Sequence, residues 1–195
     1  GAGMNRIKFI ALFVAVVGTG LYFYSYFNPP ETWERLNQKG LSAFKESRYE
    51  EAEKYLTQAL ELAEVVPIND SRLYFSLYQL AEIFRIESKF GQADGVLKRI
   101  LEIDTTKYGR EHQNVAFALN NLAVNSRMRG QYGVAEALLK QALDILERSL
   151  GKDHPLVGNI LEHYAYLLRQ MGRSTEAEKL ESRYQEIFTK HTMNN

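Results

Sequence analysis

The chain has no cysteine in its 195 residues. That excludes disulfides, thiol nucleophiles, thiolate metal sites and a lipidated-cysteine anchor, and it fits either redox compartment. Proline is scarce, at 4 residues. Sustained valine–isoleucine alternation is also missing while helix formers dominate, so the expected fold class is all-α. The formal net charge is zero, which removes the global signature of a nucleic-acid binder, and no nucleic-acid partner is expected. Catalytic motifs are absent too: there is no phosphate-binding glycine loop, no His-Glu-x-x-His and no Gly-x-Ser-x-Gly. His112 and His154 stand on separate linkers without a third ligand, which makes a poor zinc site and reads as loop and capping chemistry. The chain is therefore expected to be no enzyme and to carry no metal or cofactor.

What is present is a segment that recurs. Tyr49-Glu50-Glu51-Ala52 returns as Phe90-Gly91-Gln92-Ala93, as Tyr132-Gly133-Val134-Ala135 and as Ser174-Thr175-Glu176-Ala177, with the alanines 41, 42 and 42 residues apart. A fixed period of this size means stacked supersecondary units, whose extended surface suits holding a partner. Each unit reads as two amphipathic helices. In the third, Phe117, Leu119, Leu122 and Ala123 form one apolar stripe. Gly130 then permits a left-handed turn, and Ala135, Leu138, Leu139, Ala142, Leu143 and Leu146 form the second stripe. The units are placed at about 31–66, 70–106, 111–150 and 153–190, within a domain of 28–190, with 191–195 as a flexible tail.

One hydrophobic run lies outside the period. Residues 9–27 carry no charge and span about 28 Å as a helix, close to a hydrocarbon core. Tyr22, Tyr24 and Tyr26 crowd its far end as an aromatic belt would, and Pro29-Pro30 stops it. Arg6 and Lys8 would hold residues 1–8 in the cytoplasm, which places the repeats across the membrane, in the periplasm of a bacterium. Two alternatives stay open: a signal cleaved near Gly20, and a buried or interfacial helix. A mitochondrial inner membrane is the other candidate location. Gly1-Ala2-Gly3 ahead of Met4 reads as a cloning remnant.

The leucine–small pairs of the first helices and the aromatic-x-x-Ala starts of the second resemble the tetratricopeptide repeat. Gly109-Arg110-Glu111-His112-Gln113-Asn114-Val115, its counterpart Gly151-Lys152-Asp153-His154-Pro155-Leu156-Val157 and Leu119-Asn120-Asn121-Leu122-Ala123 are similar to the kinesin-light-chain type of that family. The N-terminal hydrophobic run departs from that type, so motor cargo adaptation is not carried over. Ser174 replaces the aromatic in the fourth unit, and Glu181 stands where the others have Leu56, Leu97 and Leu139. A polar outer face suits a capping unit.

The resemblance implies a four-repeat α-solenoid whose first helices line a concave groove. The register then gives equivalent groove positions. Gln38, Gln79, Asn121 and His163 share one, and all can donate and accept hydrogen bonds to an extended peptide; alternatively they bond neighbouring helices. Arg85, Arg127 and Arg169 share another, with Lys45 one residue off register, and guanidinium forks suit an acidic segment or a free C-terminus. Tyr78, Phe117, Asn120, Val124, Met128 and Tyr166 complete the expected lining. The expectation is thus a membrane-anchored interaction scaffold whose groove binds an acidic peptide segment of an envelope protein. A structural subunit held by its convex face or by self-association, and an assembly accessory of a membrane enzyme, are the alternatives, with homo- or hetero-oligomers left open.

Overall fold

In a computed structural model of the chain, residues 31–64 and 71–193 are described. The expected span at 9–27 lies outside them. Among the described residues no helix is long and apolar enough to cross a membrane.

Among the described residues eight helices follow one another: α1 (Trp33–Lys45), α2 (Tyr49–Glu64), α3 (Ser71–Ile86), α4 (Phe90–Tyr108), α5 (Gln113–Met128), α6 (Tyr132–Leu150), α7 (Pro155–Gln170) and α8 (Ser174–Met193). The all-α solenoid is therefore as the periodicity predicts. The second helix of each unit starts on the first residue of the recurring segment: Tyr49, Phe90, Tyr132 or Ser174. Helix α8 carries on through Met193, so three residues assigned to the tail are helical.

Packing explains the period. Each helix packs against its neighbours in sequence, and first helices also touch across units, α1 with α3 and α5 with α7. Ala81, Ala123 and Ala165 of the first helices, and Ala52, Ala93, Ala135 and Ala177 of the second, are all at most 1% exposed. Alanine is used there because helices can close on one another only where side chains are short. Among the described residues three apolar clusters follow one another. Leu56, Leu80 and Phe84 belong to the first in space, Leu77, Leu97 and Ile100 to the second, and Leu139, Leu146, Leu161 and Leu168 to the largest, in units three and four.

The turn inside each unit is the same hydrogen-bonded cap. In the third unit Gly130 N donates to Arg127 O at 2.9 Å and Gln131 N to Ser126 O at 2.8 Å, and the other three units repeat both bonds. The paired bonds are those of a helix terminus closed by one left-handed residue. That residue is Gly130 (φ 75°) and Gly172 (φ 76°) in units three and four, but Ser47 (φ 59°) and Ser88 (φ 57°) in units one and two. A left-handed serine costs about 1–2 kcal/mol and a glycine returns part of that gain as unfolded-chain entropy. Ser88→Gly is accordingly expected to raise stability by about 0.5 kcal/mol, read as a higher urea midpoint with an unchanged slope; a lower midpoint would contradict this account of the turn.

The linkers before α5 and α7 end in histidine caps. His112 Nδ1 accepts from Asn114 N and His154 Nδ1 from Leu156 N, both at 3.2 Å. Each ring thus serves one of the donors left over at a helix start. Among the described residues no group of three metal-ligating side chains occurs.

Candidate functional site

The first helix of each unit turns its apolar stripe to its partner helix, which leaves a second stripe looking outward at the same register. In space these outward residues meet. Glu82, Arg85 and Ile86 of α3, Asn120, Asn121, Val124 and Met128 of α5, and His163 of α7 line one open recess of about 320 Å³. A smaller, more enclosed recess of about 110 Å³ adjoins it, bounded by Ala123, Val124, Arg127, Leu139, His163 and Tyr166. Of the residues expected from the sequence, Arg85, Asn120, Asn121, Val124, Arg127, Met128, His163 and Tyr166 come together here. Gln38 and Lys45 are exposed on α1, Gln79 and Phe117 are half-buried, and Arg169 is exposed on α7; none of these lines either recess. Tyr78 packs against the second core cluster, and burial drives its phenol up to about 12.

The amide and histidine positions are partly spent on the protein itself. Asn121 Nδ2 donates to Phe117 O, one turn back on the same helix, at 3.0 Å. His163 Nδ1 lies 2.7 Å from Asn120 Oδ1 and so joins α7 to α5. An amide oxygen only accepts, so Nδ1 carries the hydrogen, and a neutral ring then presents Nε2 as an acceptor.

Burial pushes the His163 pKa below its usual value; Glu162 opposes this and the positive Arg127 adds to it. The folded chain thus binds this proton less readily than the unfolded chain. The stability linked to His163 is complete above a pH of about 6.5 and is lost as the pH falls from there towards the depressed folded value. Glutamine holds the equivalent place in units one and two. His163→Gln is expected to change stability at pH 7.5 by less than about 1 kcal/mol. It should also shrink the fall in melting temperature between pH 7.5 and 5.5; an unaltered fall would refute the assignment.

The three arginines, equivalent in register, differ in company. Arg85 Nη2 is 2.5 Å from Glu82. Arg169 forms a two-pronged pair with Glu181 of α8, both bonds 2.6 Å, which holds Glu181 below the usual carboxylate range. Arg127 donates Nη1 to the neutral Gln170 at 3.3 Å and lies over the Tyr166 ring at 4.6 Å from its centroid. Among the described residues it has no carboxylate partner. Charge type and spacing made the three look alike; the carboxylates came from outside the repeat position.

Glu82, Ile86, Ala123 and Leu139 line the recesses but stand outside the lining expected from the sequence. Ile86 and Met128 stand 42 residues apart and are 42% and 43% exposed, so the register alone could have paired them. Leu139 reaches the floor of the smaller recess from α6, a contact that no register between first helices encodes.

A tetratricopeptide repeat model matches residues 34–105, 73–148 and 127–190. No curated protein matches the chain. Several solved structures share the fold. BtubC (BKLC) from P. vanneervenii superposes with a TM-score of 0.68 at 21% identity, over 84% of this chain and 65% of that one. A putative kinesin light chain of Podosopora anserina with nearly identical TPR-like repeats gives 0.71 at 20% identity, over 83% and 76%. A Rap protein complexed with competence and sporulation factor gives 0.62 at 20% identity, over 82% and 44%. The chain thus spans less than two thirds of the first and less than half of the third. At such identities the likeness is one of fold. With matches covering nearly all of its helical length, the chain belongs to the tetratricopeptide repeat family.

Proposed function

We propose that this protein holds an extended segment of a protein partner against the face formed by its first helices. The observation that carries the reading is the convergence of outward side chains from three successive units, α3, α5 and α7, on one open recess. An extended chain has unpaired backbone donors and acceptors, and Asn121, Asn120 and His163 offer groups that match them. Val124, Ile86 and Met128 supply apolar contact between them. Arg127 supplies the attraction for an acidic group. Residues 9–27 tether this surface to a membrane, with Arg6 and Lys8 on the cytoplasmic side and the repeats across the bilayer, so the groove acts at a raised local concentration on partners in the envelope.

Full-length protein in mild detergent, used as bait and read by mass spectrometry, tests the groove. Partners recovered with the native chain should be lost with Val124→Glu and Met128→Glu and kept with Val134→Glu, which lies exposed on α6. The reverse pattern would move the site to the outer face and favour a structural subunit. A reporter fused at the C-terminus tests topology, and activity on the cytoplasmic side would overturn the tether's orientation.

A further inference from the structure

Arg127 differs from its register mates in a way that restricts what the groove can accept. Arg85 and Arg169 already face carboxylates, Glu82 and Glu181, so a ligand acid brought beside either would meet a like charge as well as a cation. Arg127 is positioned without being neutralised. Stacking on Tyr166 and one bond to Gln170 hold its plane, while the fork retains further donors for a carboxylate. Next to it lies the recess of about 110 Å³ bounded by Ala123, Val124, Leu139 and Tyr166. That is smaller than the roughly 150 Å³ that accommodates benzene in an apolar cavity, and it suits a branched aliphatic side chain, not an indole. His163 borders the same recess, and its Nε2 can accept one N–H from the ligand backbone.

We infer that the groove selects a segment bearing one carboxylate, seated at Arg127, beside one aliphatic side chain that fills the recess between α5 and α7. This rests on the groove reading above and narrows it: a run of acidic residues is the wrong ligand, because the cations on either side are already paired.

A random nonapeptide library displayed with both ends covalently extended, panned on the full chain, tests the inference. The strongest enriched sequence is then synthesised and its affinity measured by fluorescence anisotropy. Enriched sequences should share a single Asp or Glu next to Leu, Ile or Val. Arg127→Gln should weaken the synthetic peptide about ten-fold or more, while Arg169→Gln, at a side chain that lines neither recess, changes it less than about two-fold. Replacing the peptide's acid by its amide should cost the native chain the same factor and the Arg127→Gln chain nothing, a cycle that loss of folding would not reproduce. Acid-free or multiply acidic sequences, equal weakening by Arg169→Gln, or no enrichment at all would overturn the inference. Val124→Glu separates the two levels. If wrongly composed peptides still lose binding with Val124→Glu, the groove reading stands and only the selectivity falls; if binding survives, the groove reading falls as well.

Discussion

Glu136→Gln is expected to lower the unfolding free energy by about 2 kcal/mol, with the loss concentrated in the fourth unit. Glu136 is 13% exposed at its side chain and gathers three partners. Lys140 Nζ, one turn on, is 2.8 Å away; Tyr164 OH donates from α7 at 2.8 Å; and Arg173 Nη1 reaches across from the turn before α8, also at 2.8 Å. These contacts, Lys140 foremost, hold the Glu136 pKa down to about 2 against the opposing effect of burial. Glu136 lies on α6, and Tyr164 and Arg173 belong to the next unit, so this carboxylate bridges the seam between units three and four. Glutamine keeps the shape but replaces one accepting oxygen with a donor, which cannot serve three donors. Lys140 and Arg173 can return partly to water, which keeps the cost below that of a fully buried pair.

Its pH dependence gives a second readout. A depressed carboxylate contributes its full stability above its unfolded pKa of about 4.3 and loses it as pH falls towards about 2. Glu136→Gln should therefore flatten the stability profile in that acidic window as well as lower it at neutral pH. Amide exchange should quicken in α7 and α8 and stay unchanged in α1 and α2, since stacked units couple mainly to their neighbours. Equal acceleration in every unit, or an unaltered acid profile, would refute this role.

Gly40→Val is the second large effect, at about 3 kcal/mol of destabilisation. The repeat register argues the opposite for the smaller change Gly40→Ala: Ala81, Ala123 and Ala165 hold the same place, and alanine gains about 1 kcal/mol over glycine inside a helix. In this unit, however, a Cβ on Gly40 would lie 2.6 Å from Leu56 Cγ and 2.9 Å from Cδ2. Leu56 is fully buried, so it cannot swing into solvent, and α1 would have to lift off α2. Overpacking of this kind offsets the propensity gain, and Gly40→Ala should end about 1 kcal/mol less stable than the native chain. Chemical denaturation of both variants and of Gly40→Val/Leu56→Ala checks the cause. If the clash is real, the double variant is more stable than the sum of its single changes implies; strict additivity would place the cost elsewhere.

Gly40 also shows how far a repeat can be read without coordinates. Its register with Ala81, Ala123 and Ala165 marks it as a small residue between two helices, because the period reports which positions face the partner. The period could not report that α1 and α2 lie closer than Cβ contact allows, since that spacing depends on how Leu56 sits against both. Arg169 is a similar case. Its spacing from Arg127 grouped it with the groove cations, and the odd residue Glu181 was read as part of a cap. The capping carboxylate and the cation meet because α7 and α8 fold back on each other, which brings residues 12 positions apart into a two-pronged pair.

The sequence by itself determined the helical class, the two-helix unit, the glycine turn of the third unit and the histidine caps. All of these follow from periodicity and local backbone preference, which act over a few residues at a time. Tertiary structure decided which of the equivalent positions are free for a partner. Asn121 bonds its own helix, His163 holds Asn120, Arg85 and Arg169 hold carboxylates, and Arg127 keeps a positive charge beside an apolar recess. Identical spacing gives side chains the same direction, but their partners come from neighbouring helices whose residues do not repeat, and those partners set the charge and the room that a ligand meets.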